Sequence, residues 1–479
     1  MTSQVNPPGP SLPGRSGALN IARETLSKPV VLALFIACAT QPYGLALGPL
    51  LIGPYRLVLL LIGPILMIQW LSGRYGRLLP PDFLVLGYAT WVLVALAANG
   101  QMGRVVEWGG SQFIDTFFAY LLGRAAIRTK QDFYFFTRVF LWVLLFLLPF
   151  AILESAMGVV ILIRLAEAIP LVEAFGIVTL EYPPRLGLLR AQTGAVHPIL
   201  YGVMCAMGFS FGLLGLAHSP GKPGLFKRFA MTSGSYVGTF FSLSSGAFAA
   251  VGVQGLLMLW NWLLRKWKAR WKVLGWGFVV AYIIVDFVAA RPPALVFGRM
   301  ISFSGSTAWN RYMIWQFGSA EVMRNPIFGM GIFSDWQRAP WMPSSIDNQW
   351  LQVAMRFGLV GIGLLMGAYI YILYKLIRID FSNNPEMDAI RKAFVFTLIA
   401  LLISYGTVAA WHIQWSILLL LLGATTWIFS TPPEAHGTDE DENAAPADGR
   451  RGATQHARPI DAPRYSRFPT QPRDKPPGR

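Results

Sequence analysis

The chain alternates long apolar runs with short polar stretches, and the runs recur at the length that crosses a bilayer. A spanning helix needs about 20 mostly apolar residues, and by that measure the pattern predicts about twelve spans. They lie near 29–48, 54–72, 82–100, 111–127, 132–153, 198–217, 229–244, 246–264, 273–290, 357–375, 393–410 and 412–430. The expected fold is therefore all-α, a polytopic bundle of membrane helices occupying 29–430.

The basic residues supply a register for those spans. Arg15, Arg23 and Lys28 precede the first, and Arg74 and Arg77 follow the second. Arg124, Arg128 and Lys130 follow the fourth, Lys222, Lys227 and Arg228 the sixth, and "RKWKARWK" (265–272) the eighth. Lys375, Arg378, Arg391 and Lys392 flank the turn between the tenth and eleventh spans. All these clusters fall on one side, which the positive-inside rule assigns to the cytoplasm. Two long segments, 154–197 and 291–356, then fall on the outer side, expected to be periplasmic. Within the first, "ILIRLAEAIPLVEAFG" (161–176) has apolar residues at helical spacing. It fits a helix lying in the interface or an ordinary packed loop helix. Residues 1–28 and 431–479 are polar, rich in Pro and charge, and are expected to be disordered cytoplasmic tails.

Composition agrees with a membrane protein and removes several functions. Only 13% of residues are charged against 54% hydrophobic, and a net charge of +16 is better explained by cytoplasmic loops and anionic lipid than by nucleic acid. Both cysteines, Cys38 and Cys205, sit in apolar runs, so no disulfide framework is expected. Five histidines, none in a His-x-x-x-His pair or beside a cysteine, give no basis for a metal site. There is no Walker-type loop and no G-x-S-x-G elbow, so neither metal nor nucleotide cofactor is expected.

The outer segments carry a more specific signal. Every lysine falls on the cytoplasmic side, yet the outer side keeps Arg56, Arg104, Arg164, Arg185, Arg190, Arg291, Arg299, Arg311, Arg324, Arg338 and Arg356. Some of these would pair with Glu154, Glu181, Asp286, Glu321 or Asp335. Arg185 and Arg190 in "RLGLLRAQTGAVHP", and Arg299 and Arg311 in "GRMISFSGSTAWNRYMIW", form two local groups. A guanidinium is a planar, permanent charge that grips phosphate oxygens in pairs, so such groups suit a phosphate or diphosphate ligand at the membrane surface. Asp347, in "SSIDNQWLQVAMRFGLVG" (344–361), could accept a proton from an attacking sugar hydroxyl. It could equally be a helix N-cap, with the apolar run from Phe357 as the span below it. Ser244 and Ser245 stand at the outer turn of the hairpin "FFSLSSGAFAAVG" (240–252), where small residues also serve close packing.

Four patterns, in this order, resemble the O-antigen polymerase and O-antigen ligase superfamily over roughly residues 30–430, the span set above. They are R-x3-G-x2-H-P (Arg190, Gly194, His197, Pro198), the Ser-Ser-Gly hairpin at 244–246, and R-x3-W with N-P-x-x-G-x-G (Arg311, Trp315, Asn325, Pro326, Gly329, Gly331). The fourth is [His/Asp]-Asn-x-x-Leu with G-x-x-G (Asp347, Asn348, Leu351, Gly358, Gly361). The resemblance implies an inverting, metal-independent glycosyltransferase of the GT-C type in the bacterial inner membrane, with both termini cytoplasmic and its active site facing the periplasm. Its donor would be a glycan on undecaprenyl diphosphate, with a chain-length regulator as a candidate partner protein. Carried over by position, Arg190 and Arg311 would hold the diphosphate and Asp347 would be the base. Arg185, Arg299, His197, Asn348, Arg356, Ser244 and Ser245 would complete the substrate site. Arg356, about two turns below Asp347, would be its partner or a further diphosphate contact.

Ligases of the superfamily typically carry histidine where this chain has Asp347. The resemblance therefore points first to a polymerase of O-antigen or exopolysaccharide repeat units, and second to a ligase acting on lipid A core. A flippase of lipid-linked glycan is a third reading; it would concentrate charge at the membrane midplane, whereas here charge gathers in the outer segments.

Overall fold

A computed structural model of the chain describes residues 28–41, 43–47, 50–169, 172–174, 184–289, 292, 295, 296, 298, 299, 305–332 and 334–430. Both expected tails lie outside the described residues apart from Lys28, as do Glu181 and Arg291.

The described chain is helical almost throughout. It opens with α1 (Lys28–Cys38), then β1 (Tyr43–Leu47) and β2 (Leu50–Ile52), then α2 (Pro54–Leu71) and α3 (Pro80–Ala98). Next comes α4 (102–126), one helical run interrupted by π-turns at Val105–Gly109 and Ile114–Phe118. After it come α5 (Lys130–Met157), α6 (Ile161–Glu167), β3 (Val172–Ala174) and α7 (Pro198–Leu213). The hairpin α8 (Leu225–Ser242) and α9 (Ser245–Leu263) leads to α10 (Arg270–Val288), α11 (Gly305–Arg324) and the long α12 (Gln349–Arg378). The chain then runs through α13 (Pro385–Ser404), α14 (Ile413–Ala424) and α15 (Thr426–Ser430).

Eight helical segments among the described residues are long and apolar enough to cross a membrane. They are α2, α3, α5, Pro198–His218, α9, α10, α12 and Ile413–Ser430. Of the remaining expected spans, 111–127 lies almost wholly within α4, and 229–244 and 393–410 lie mostly within α8 and α13. The first expected span, 29–48, is corrected: its helix stops at Cys38, and β1 pairs antiparallel with β2 and with β3. Proline at position 42 explains the break, since it disfavours helical backbone in the residue before it. The helix expected over 161–176 likewise stops at Glu167, just before proline at position 170, and Val172–Ala174 is a strand.

Apolar surface is buried most completely at the centre. Both α7 and Ile413–Ser430 are enclosed on nearly all sides, while α10 has no buried residue. Around α7 pack α8, α9 and α13, and α8 packs in turn on α5. The contact of α7 with the α8–α9 turn is tight, because a Cβ at Gly202 would lie 2.1 Å from Ser242 Oγ. A side chain there would push the hairpin off the bundle.

Several basic residues of these clusters are tied to neighbouring turns of the bundle. Arg124 donates to Arg77 O at 2.6 Å, Arg128 to Arg74 O at 3.1 Å, and Arg138 to Pro220 O at 3.2 Å. Lys130 pairs with Glu386 at 3.1 Å. Arg124 also pairs at 3.1 Å with Asp82, whose carboxylate takes further hydrogen bonds from Tyr120, Trp70 and Leu79 N. A buried charge is tolerated only when so completely partnered.

Candidate functional site

The α8–α9 turn is where the arginines converge. Helix α8 ends at Ser242, Leu243 takes φ +45°, and Ser244 is the N-cap residue of α9. This places the free carbonyls of one helix beside the free N–H groups of the next. Arg185 Nη1 donates to Leu243 O at 2.7 Å, Arg190 Nε to Ser242 O at 3.5 Å, and Arg311 Nη2 to Ser245 Oγ at 3.2 Å. Guanidinium groups at the negative end of α8 satisfy its carbonyls and are held there by its dipole.

Arg190 is only 5% exposed, so its position depends on its own backbone segment. The last turn of α5 holds that segment. Ser155 Oγ donates to Leu189 O at 2.7 Å, and Glu154 Oε2 accepts from Gln192 N at 3.2 Å and Thr193 N at 2.7 Å. Ala191 N donates to Phe241 O at 2.9 Å, tying the same segment to α8.

Beside the turn lies a cavity of roughly 390 Å³, lined by Arg185, Arg190, His197, Ser244, Ser245, Arg311 and Asp347 among others. Four helices begin at its wall. His197 is the N-cap residue of α7, Ser244 that of α9, Ser306 and Thr307 stand in the first turn of α11, and Asp347 just precedes α12. Helix N-termini carry partial positive charge and present unbonded N–H groups, and with three guanidiniums they make the wall of this cavity strongly electropositive.

One carboxylate shares this cationic wall. Asn348 accepts the Leu351 N–H at 3.0 Å and so caps α12, which leaves Asp347 to the cavity. Burial raises the Asp347 pKa above its ordinary 3.8, while Arg311 and a hydrogen bond from Ser345 act against the rise. His197 is pushed the other way: burial, then Arg190 and Arg185, lower it to about 4. Its Nδ1 accepts the Ile199 N–H at 3.0 Å, so the neutral ring carries its proton on Nε2. Near neutral pH, His197 is thus a hydrogen-bond donor and Asp347 is a proton acceptor.

The seven lining residues named above were all expected as site residues from sequence, and Asn348 adjoins them as the cap. Arg299 is exposed near Gly305 and does not line the cavity. Arg356 does not meet Asp347. Gln349, Gln352, Val353 and Arg356 fall at i, i+3, i+4 and i+7, one face of α12, and they line a second cavity. Asp347 lies before the helix and outside that face.

The ion pairs also differ from the sequence reading. Glu321 pairs with Arg324 at 2.8 Å and Asp335 with Arg338, but Glu154 binds backbone N–H groups instead of an arginine. Arg56 pairs with Asp115 at 2.6 Å. The role of Glu154 was missed, although a lone carboxylate ending an apolar span is itself a signal. Ser306 and Thr307 were missed as well, although Gly-Ser-Thr ahead of "AWNRY" marks a helix start.

The glycine motifs form a mechanical unit behind the site. Gly358 interrupts α12 with φ +71° and ψ −177°. The carbonyls this kink exposes are taken up by the 325–331 loop: Met330 N donates to Met355 O at 2.8 Å and Gly331 N to Arg356 O at 3.1 Å. Trp91 Nε1 donates to Phe357 O at 2.8 Å, and Leu359 N donates to Pro326 O at 2.7 Å.

Residues 230–366 match the family model described as O-antigen ligase. The match runs from α8 into α12 and takes in the hairpin, Arg311, the kink loop and Asp347, while Arg185, Arg190 and His197 precede it. No curated protein matches the chain.

Proposed function

We propose, from the match of residues 230–366 to the O-antigen ligase family, that this chain is a member of the O-antigen ligase and polymerase superfamily and that it polymerises undecaprenyl-diphosphate-linked oligosaccharide repeat units. The work would take place at the periplasmic face of the bacterial inner membrane, with both termini cytoplasmic. The observation that carries the reading is the cavity where Arg190, Arg311 and Asp347 share a wall with four helix N-termini.

In this reaction the acceptor sugar hydroxyl attacks the anomeric carbon of the donor from the face opposite the diphosphate. Asp347 takes the hydroxyl proton as the new glycosidic bond forms, and the carbon–oxygen bond to undecaprenyl diphosphate breaks. Configuration inverts because attack and departure are on opposite faces. Arg185, Arg190 and Arg311 neutralise the charge that grows on the leaving diphosphate, and His197 donates from Nε2–H to one of its oxygens. Asp347, made more basic by burial, is suited to the proton it must accept.

The test is the glycan made by cells carrying Arg190→Ala, Arg311→Ala or Asp347→Asn. Single repeat units should accumulate on the lipid carrier while the variant protein remains inserted. Long chains of normal length would overturn the proposal. The family description favours a second reading, transfer of finished glycan to lipid A core. Under that reading, deletion leaves full-length polymer made but unattached.

A further inference from the structure

None of the residues given a role in the reaction just described lines the second cavity. It measures roughly 430 Å³, within the usual range for ligand sites, and shares no lining residue with the first. Its walls combine aromatic faces (Tyr88, Trp108, Trp411) with the amides of Gln349 and Gln352.

The charges around it do not cancel. Asp115 is bound by Arg56 through two hydrogen bonds, at 3.0 and 2.6 Å, and Glu107 is bound by Arg104 at 2.8 Å. The guanidinium of Arg356 has no hydrogen bond or ion pair among the described residues. Beside it, the hydroxyl of the fully buried Tyr88 has no partner among them either. One cation and one hydroxyl are therefore left to a ligand. Unpaired polar groups in a largely buried wall are costly, so the cavity is better matched to a polar guest than to a lipid chain.

The two cavities adjoin along two contacts. Asp347 and Gln349 are two residues apart at the start of α12, one lining each cavity. The rings of His197 and Trp411, again one from each, meet edge to face with centroids 6.2 Å apart. The backbone of His412 takes φ +50° and ψ −122° there, an unfavourable conformation for a side-chain-bearing residue.

We propose that this second cavity is a saccharide-binding subsite for the acceptor glycan, selective for a pyranose that carries a carboxylate. The apolar face of a sugar ring stacks on indole, its hydroxyls meet the glutamine amides, and its carboxylate receives the two-pronged hydrogen bonding of Arg356. A glycan held there has its terminal hydroxyl directed across the His197–Trp411 contact toward Asp347. The proposal rests on the glycosyl-transfer reading only in naming the bound sugar an acceptor.

The experiment is a calorimetric titration of the full-length protein in lipid nanodiscs. The probes are an oligomer of galacturonic acid and its carboxyl-reduced, neutral counterpart. The acidic oligomer should bind saturably and more tightly than the neutral one. Arg356→Gln should weaken the acidic oligomer about ten- to hundredfold, the range for a lost charge-assisted hydrogen bond, and leave the neutral one nearly unchanged. Trp411→Ala should weaken both. If Arg356→Gln fails to insert, Arg356→Lys carries the test, because a point charge without the fork should lose part of the selectivity. Absence of saturable binding, equal binding of the two oligomers, or selectivity indifferent to Arg356 would overturn the proposal. Normal polymer from Asp347→Asn and Arg311→Ala, with Arg356-dependent binding retained, would remove the transfer reading and leave this subsite standing.

Discussion

Asn348 accepts the Leu351 N–H at 3.0 Å, and this hydrogen bond relieves Asp347 of any capping duty. Adjacent polar residues thus have separate work, and their variants should separate too. Asn348→Ala removes a helix cap and should cost about 1 kcal/mol of stability. Asp347→Asn leaves the cap intact and should melt at or above the wild-type temperature, since burial disfavours that carboxylate more than Arg311 and Ser345 compensate it. Its turnover should fall by about 10²- to 10⁴-fold if it is the general base. Thermal melts of both proteins beside an assay of chain extension check the division. A large stability loss in Asp347→Asn with little change in turnover would reverse it.

That division also shows where sequence reasoning reaches its limit. The eight membrane-length helices and the groups containing Arg185, Arg190 and Arg311 were legible because apolar length and charge are local properties of a sequence. Whether Asp347 or Asn348 caps α12 was not legible, because both residues are good caps and only the backbone path selects one. Arg356 looked like a neighbour of Asp347 by counting turns. The start of α12 at Gln349 instead groups Arg356 with Gln349 on another face. The broken first span and the small sheet depended on where prolines fall relative to strands far apart in sequence.

Glu154 holds the backbone segment that carries Arg190 and does not itself line the cavity. Its Oε2 binds two backbone N–H groups, and its Oε1 has no partner among the described residues. Glu154→Gln keeps an acceptor for Gln192 N and Thr193 N and should retain most of the function. Glu154→Ala leaves two buried N–H groups unbonded and should cost about 2–4 kcal/mol. At temperatures where the Ala variant stays folded, the apparent KM for the lipid-linked donor should rise more than kcat falls. Measuring both constants decides this, and a Gln variant as damaged as the Ala variant would show that the charge itself is needed.

Two groups in the first cavity give pH effects of opposite origin. Asp347 has its pKa raised above 3.8, so the acid limb of the rate profile should lie to the alkaline side of an ordinary aspartate. That limb should vanish in Asp347→Asn. His197 is lowered from 6.5 to about 4. Below pH 6.5 the unfolded ring takes up a proton that the folded ring refuses, so the stability tied to neutral His197 is present above pH 6.5 and lost as pH falls toward 4. His197→Asn keeps a cap acceptor and removes the titration. Its melting temperature should change less than that of the wild type between those pH values, and identical curves would exclude His197 as the source.

The kink at Gly358 supports the sharpest stability prediction. Its φ of +71° is unfavourable for any side chain, and a Cβ there would stand 2.0 Å from Ile327 O. On the other side of the contact, a Cβ at Gly329, also at positive φ, would meet the Arg356 carbonyl at 2.4 Å. Neither position can be relieved by a rotamer change, because the obstructing atoms are backbone. Gly358→Ala must either straighten α12 or push the 325–331 loop away, and both break the hydrogen bonds from Met330 N and Gly331 N to the kink. The cost should exceed about 3 kcal/mol, combining backbone strain with lost buried hydrogen bonds. The effect should extend to both cavities, since α12 carries Arg356 toward one and follows Asp347 at the other. Gly363, farther along the same helix, lies in regular backbone, and a Cβ added there would meet nothing within 4 Å. Gly363→Ala should therefore be neutral or slightly stabilising. Comparing detergent melts of the two variants tests this directly: equal melting temperatures would mean that the kink is not a constraint on the fold.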